Sequence, residues 1–60
     1  ERLLKLRLSE KKTQKEVTEA IGISVSALTM YETGNRIPRD EIKVKLAHYY
    51  STSVERLFYA

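Results

Sequence analysis

Five residues of one short stretch, Val25, Ser26, Thr29, Met30 and Thr33, share a side when the segment after Ser24 is wound as a helix. None carries a charge. Methyl, thioether and hydroxyl groups in this pattern offer apolar contact and hydrogen bonds to a surface laid against them. A solvated helix face would carry Lys and Glu instead, and the one residue in this helix charged at neutral pH is Glu32. The chemistry is that of a contact surface.

Cations bracket that surface in sequence. Lys11, Lys12 and Lys15 precede it, and Arg36 and Arg39 follow it with Asn35 alongside. A ridge flanked by positive charge fits a polyanionic partner. The net charge of +3 over 60 residues is only mildly basic, so placement carries the point rather than the sum. Lys5, Lys45 and Arg56 read as ordinary solvated side chains. Catalysis is a poor fit, because Ser24, Ser26 and His48 have no acid partner at a usable spacing, and neither a Gly-rich phosphate loop nor a carboxylate pair is present. No enzyme activity and no catalytic residue are expected. With no Cys and a single His48, taken as structural, the chain has no disulfide and no metal set, and no cofactor is expected.

The elements that must position the contact face follow from caps and periodicity. Thr13 and Glu16 form a capping box, so a helix starts near Gln14. Val17, Ala20 and Ile21 give it an apolar stripe and Gly22 closes it. Ile23 is expected to plug the wedge before the next helix, which Ser24 caps. Leu28 and Tyr31 turn inward, and Gly34 ends that helix. Residues 13–34 are thus helix, tight turn, helix, with the contact helix over about 24–33.

The rest supports this unit. Glu1 to Ser9 reads as a helix whose leucines at 3, 4, 6 and 8 form a broad apolar side. Arg7 borders that side, and a charge facing a core needs a partner. Glu32 is the candidate, giving an Arg7–Glu32 ion pair. The residues alone favour the alternative of two separately solvated side chains. Pro38 sets the first turn of a fourth helix running to Tyr50. Asp40 and Glu41 favour its positive end, and Ile42, Leu46, Tyr49 and Tyr50 form its stripe. Leu46 and Ala47 are placed in the core, whereas Val44 lies off the stripe. After a polar break, Ser53 caps a last turn or two in which Val54, Leu57 and Phe58 cover the core. Phe58 and Tyr59 are the residues most open to a second copy.

The expected fold is therefore all-α, five short helices in a single domain over residues 1–60, with no strand. Sixty residues leave no room for a second core. Apolar runs reach at most four residues, which excludes a transmembrane helix, and no signal-peptide core is present. A cytoplasmic location, no membrane association and no small-molecule substrate are expected. The chain begins at Glu1 rather than Met, as a fragment of something longer would.

Read in order, LLKLR (3–7), TQKEV (13–17), GIS (22–24), YETG (31–34), Pro38, LA (46–47) and SVERLF (53–58) resemble the Cro/cI-type helix-turn-helix domains of phage and bacterial regulators. These are also called lambda-repressor-like or xenobiotic-response-element type. The resemblance covers nearly the whole chain. It implies that Val25, Ser26, Thr29 and Met30 face base edges in the major groove of double-stranded DNA. It further implies that Gln14, Ser24, Asn35, Arg36 and Arg39 lie on the phosphate backbone. It pairs the first-helix Arg7 with Glu32 of the YETG run. A homodimer on a pseudo-palindromic operator, acting most often as a repressor, is the implied function. The rival is a protein-binding module such as an antitoxin or adaptor.

Four positions depart from that pattern. Thr18 stands where Ala is usual at the crossing of the two motif helices, so either the helices spread or the hydroxyl bonds back to its own helix. Lys11 and Lys12 replace a common Gly and an apolar residue, and Thr33 replaces Asn or a Ser-like residue. The contact face also lacks the Gln, Asn or Arg that make bidentate base contacts. Val25 and Met30 suit the thymine methyl group, while the alternative for Met30 is to curl onto the core beside Leu28.

Overall fold

Thr13 fixes the clearest helix start. Its hydroxyl accepts from the Glu16 amide at 3.0 Å, and the Glu16 carboxylate accepts from the Thr13 amide at 2.9 Å. The second of these bonds holds the Glu16 carboxyl below its ordinary range. From there the computed structural model, which describes residues 2–59, runs as helices throughout. They are α1 (Arg2–Ser9), α2 (Gln14–Ile21), α3 (Val25–Glu32), α4 (Asp40–Tyr49) and a π-helical turn, α5 (Glu55–Tyr59). Glu1 and Ala60, assigned from sequence to the first and last helices, lie outside the described residues. Among the described residues there is no strand, and no helix is long and apolar enough to cross a membrane.

All four α-helices stop in the same way. One or two residues past the last helical position the chain turns left-handed, at Lys11 (φ 56°), Gly22 (φ 87°), Gly34 (φ 80°) and Ser51 (φ 55°). The next amide then reaches back five residues: Lys12 to the Arg7 carbonyl, Ile23 to Thr18, Asn35 to Met30 and Thr52 to Ala47. These bonds satisfy carbonyls that a helix end would leave open. Glycine adopts this conformation freely, whereas Lys11 and Ser51 hold it against the clash of a β-carbon. The Gly usual at the Lys11 position has its physical reason here.

One core is assembled from all five helices. Val17, Leu28 and Leu46 are fully buried, and Leu3, Ile21, Ile42, Ala47, Tyr50 and Leu57 close around them. Ile23, in the turn between α2 and α3, packs against this cluster as the wedge its apolar side chain implies. α2 contacts both α3 and α4, while α1 bridges α3 and α5. Between α2 and α3 the hydroxyl of buried Thr18 donates back to the Lys15 carbonyl at 3.1 Å. The buried hydroxyl is thereby satisfied within its own helix.

The expected stripes need correction in several places. Leu8 is 59% exposed, because five residues past buried Leu3 it falls on another side of α1. Ala20 is exposed as well, at the edge of a stripe whose partners meet only Val17, Thr18 and Ile21. Pro38 precedes the α4 cap, Arg39, instead of occupying the first turn, and is buried in the connection. The last segment is a π-helical turn rather than an α-helical one. Its N-terminal capping by Ser53, whose hydroxyl accepts from the Arg56 amide, is as expected. Lys43 is buried although it carries a charge.

Two expectations follow for stability. Replacing Lys11 or Ser51 by Gly should each raise the unfolding free energy by about 0.5–1 kcal/mol in urea titration, and loss of stability on both would show that the turns are unstrained. The Tyr50 hydroxyl is buried with no hydrogen-bond partner among the described residues. Burial, with the negative charge of Glu32 adding to it, pushes its pKa up to about 12. Folding thus favours the neutral phenol, so this contribution is complete below the ordinary value near 10 and is lost as pH rises toward 12. Tyr50→Phe should be more stable by about 1 kcal/mol, and its advantage should widen through that alkaline window. A gap independent of pH would rule out the phenol as its source.

Candidate nucleic-acid interface

The contact helix is held by one carboxylate. Glu32 sits at the end of α3 and is 3% exposed, in a position where an unpaired charge would be costly. Arg7 Nε donates to its Oε2 at 2.7 Å and Arg7 Nη2 to its Oε1 at 3.3 Å, a two-pronged pairing of guanidinium on carboxylate. The hydrogen bond it donates to Glu32 raises the Arg7 pKa above its ordinary value. Arg7 Nη1 reaches the Lys12 carbonyl at 3.0 Å, so the same side chain also fixes the link from α1 to α2.

Gln14 completes the arrangement. Its amide nitrogen donates to Glu32 Oε1 at 3.2 Å and to Thr29 Oγ1 at 3.1 Å. The first residue of α2 is thereby tied to both the buried and the outward side of α3. This double contact was not visible in sequence, since Gln14 and Thr29 lie on different helices with nothing in their spacing to join them. Its consequence is local and chemical: with the Thr29 oxygen accepting from Gln14, the Thr29 hydroxyl hydrogen is left to donate outward.

The uncharged face stands open to solvent. Val25 is 46% and Met30 42% exposed, so Met30 does not curl onto the core beside Leu28, which is fully buried. Ser26 and Thr29 are exposed between them. Ser24 caps α3, its oxygen accepting from the Ala27 amide at 3.0 Å, which leaves its hydrogen for a neighbour. Thr33 differs from the rest of the face: its hydroxyl donates back to the Thr29 carbonyl at 2.9 Å and so supports the helix end.

The flanking polar groups are placed unevenly. The amides of Asn35 and Arg36 both bond the Met30 carbonyl, at 3.0 and 3.2 Å, which folds the loop after Gly34 against the end of α3. Both side chains are exposed there. Lys15 is exposed one residue from Gln14, so the basic cluster before α2 reaches the same flank. Arg39 is exposed at the start of α4, and no hydrogen bond among the described residues ties it to α3. Lys43 escaped the sequence reading although a signal existed. It stands three, four and seven residues before Leu46, Ala47 and Tyr50, which is the spacing of the α4 core stripe.

Two short helices set by a Gly turn, the second presenting an exposed uncharged face from a rigid polar mount, define a helix-turn-helix domain. The helix-turn-helix family profile matches residues 3–57, and the chain belongs to that family. The chain is 37% identical over 57 residues to the cryptic phage CTXphi transcriptional repressor RstR of Vibrio cholerae, with 95% of this chain and 51% of that protein covered. It thus spans about half the length of that curated relative. No solved structure matches it.

The ion pair should dominate the response of the domain to mutation. Glu32→Gln leaves a guanidinium facing an amide and should lower the unfolding free energy by roughly 3 kcal/mol or more. The double variant Arg7→Met with Glu32→Leu removes both charges and should lose much less. Equal urea midpoints for Glu32→Gln and the parent would show that the pair adds nothing.

Proposed function

We propose that the chain binds double-stranded DNA with α3 in the major groove, as a homodimer on a pseudo-palindromic operator, and that it represses transcription. The observation that carries this reading is the exposed, uncharged face of α3 mounted on Arg7, Glu32 and Gln14, with basic and amide groups at both of its flanks. Val25, Ser26, Thr29 and Met30 meet base edges. Ser24, Asn35, Arg36 and Arg39 meet phosphates, and Gln14, whose side-chain N–H groups are taken by Glu32 and Thr29, does so through its backbone amide at the start of α2; phosphate contacts supply most of the affinity. The repressor function named for the CTXphi relative supports the same direction.

Chemistry of the face sets the kind of readout. Val25 and Met30 favour the thymine methyl group, while Thr29, with its oxygen engaged by Gln14, donates to an acceptor such as thymine O4 or purine N7. None of these side chains makes a bidentate base contact, so part of the specificity comes from DNA shape at positions left untouched. One such module covers one half-site. Two copies spaced by one helical turn, roughly 34 Å, give the affinity that a single copy lacks.

Binding measurements on an operator selected from a random pool, set against a scrambled duplex, separate the two kinds of contact. Arg36→Ala should weaken both duplexes alike and reduce the slope of log affinity against log salt by about 1. Thr29→Ala and Met30→Ala should cost about 1 kcal/mol or more on the operator only. Equal losses on both duplexes would deny these two residues a part in base recognition. Binding that ignores salt altogether would point to a protein partner instead.

A further inference from the structure

On the side of the domain formed by α1, the α3–α4 connection and α5 lies a cavity of about 500 Å³. Its size is that of a pocket for a small organic molecule. Leu3, Pro38 and Leu57 form apolar wall, and Tyr31, Phe58 and Tyr59 add aromatic surface. Three cations, Arg2, Arg36 and Lys43, also line it. Among the described residues no anionic side chain does.

Lys43 is the unusual member. The residue is only 7% exposed, yet no carboxylate among the described residues lies within ion-pair distance of its ammonium. Its contacts are the Tyr59 hydroxyl, to which it donates, and the rings of Phe58 and Tyr59, whose centroids lie 5.6 and 4.7 Å from the nitrogen. An ammonium has three donors and full charge, so a phenol oxygen and two ring faces leave it short of a counterion. An anion brought to it would offset the rest of the cost of burying such a charge.

We propose that this cavity is a binding site for a small carboxylate carrying an aromatic or alicyclic body. The carboxylate pairs with Lys43 and, at the mouth, with Arg36, while the ring lies against Leu57, Phe58 and Tyr31. Arg2 is a weaker candidate for the anion, because its guanidinium already donates to the Arg56 carbonyl at 2.6 Å. A bare inorganic anion would leave the apolar wall uncovered, and a neutral ring would leave Lys43 as it is. The combination of the two surfaces selects the amphiphilic anion. The inference does not depend on how α3 reads DNA, although Arg36 is common to both.

The test uses 4-phenylbutyrate as the probe, titrated into the isotope-labelled domain without DNA and followed by amide nuclear magnetic resonance. Saturable shifts are expected at Gly34, Ile37, Lys43 and Phe58, with a dissociation constant on the order of millimolar or tighter. The neutral 4-phenylbutyramide should bind at least about tenfold more weakly, as should 4-phenylbutyrate to Lys43→Met. A thermal melt establishes that Lys43→Met is folded. If it is not, Arg36→Gln, at an exposed position, carries the comparison with a smaller loss. Equal binding of acid and amide, shifts produced equally by inorganic phosphate, or no shift at the cavity would each overturn the proposal. So would shifts at these amides that depend on protein concentration alone, which would assign the cavity to a second copy.

Discussion

The structure depends on burying one negative charge where a helix must be held at a fixed angle. Glu32 is the hub: Arg7 of α1 and Gln14 of α2 both end on its carboxylate, and Arg7 also holds the connection between those helices at Lys12. Removing either member of a buried pair costs about 3–5 kcal/mol. A chain of this length has a total stability of about 3–9 kcal/mol. The contact is thus comparable with the margin that keeps the chain folded. Its directionality matters as much as its size, because an apolar core alone permits α3 to roll by a fraction of a turn. A two-pronged guanidinium bond does not.

This mount explains how an outward face without charge is tolerated. Helix surfaces in water gain solubility from Lys and Glu, and α3 has neither on its exposed side. The helix is also only eight residues long, below the length at which isolated helices persist. Its order is therefore borrowed from Ser24 at one end, from the bonds at Gly34 at the other, and from Leu28 and Glu32 beneath. Gln14 extends the mount to the surface itself, since the same amide that steadies Glu32 also turns the Thr29 hydroxyl. Structural and presented chemistry share a single side chain there.

Much of this architecture is legible in residue order because it is local. The Thr13–Glu16 box, the Ser24 cap and the Gly22 and Gly34 ends rest on interactions within a few residues. The Arg7–Glu32 pair was different: the residues alone favoured two solvated groups, and the family resemblance was what joined them. What remained hidden is non-local or conformational. Nothing in sequence announces that Gln14 meets Thr29, or that Lys11 and Ser51 take a glycine-like turn. Leu8 and Ala20 look apolar enough for a core, yet exposure is decided by whether another element arrives to cover them. The π-helical form of α5 belongs to the same class, since its widening accompanies the seating of Leu57 in the core while Phe58 and Tyr59 reach Lys43.

Three buried groups carry polarity to different ends. Glu32 is met by three donated bonds and is part of the frame. Thr18 is met by its own helix, a local solution that costs little and signals nothing further. Lys43 is met by a phenol and two rings, which is a partial answer to a full charge. Natural chains satisfy buried polar groups almost everywhere, and the positions where they do not tend to be strained or functional. By that measure the frame at Glu32 is complete in itself. Among the described residues two buried groups are left short, the Tyr50 hydroxyl, which finds no partner, and Lys43, whose charge meets no carboxylate.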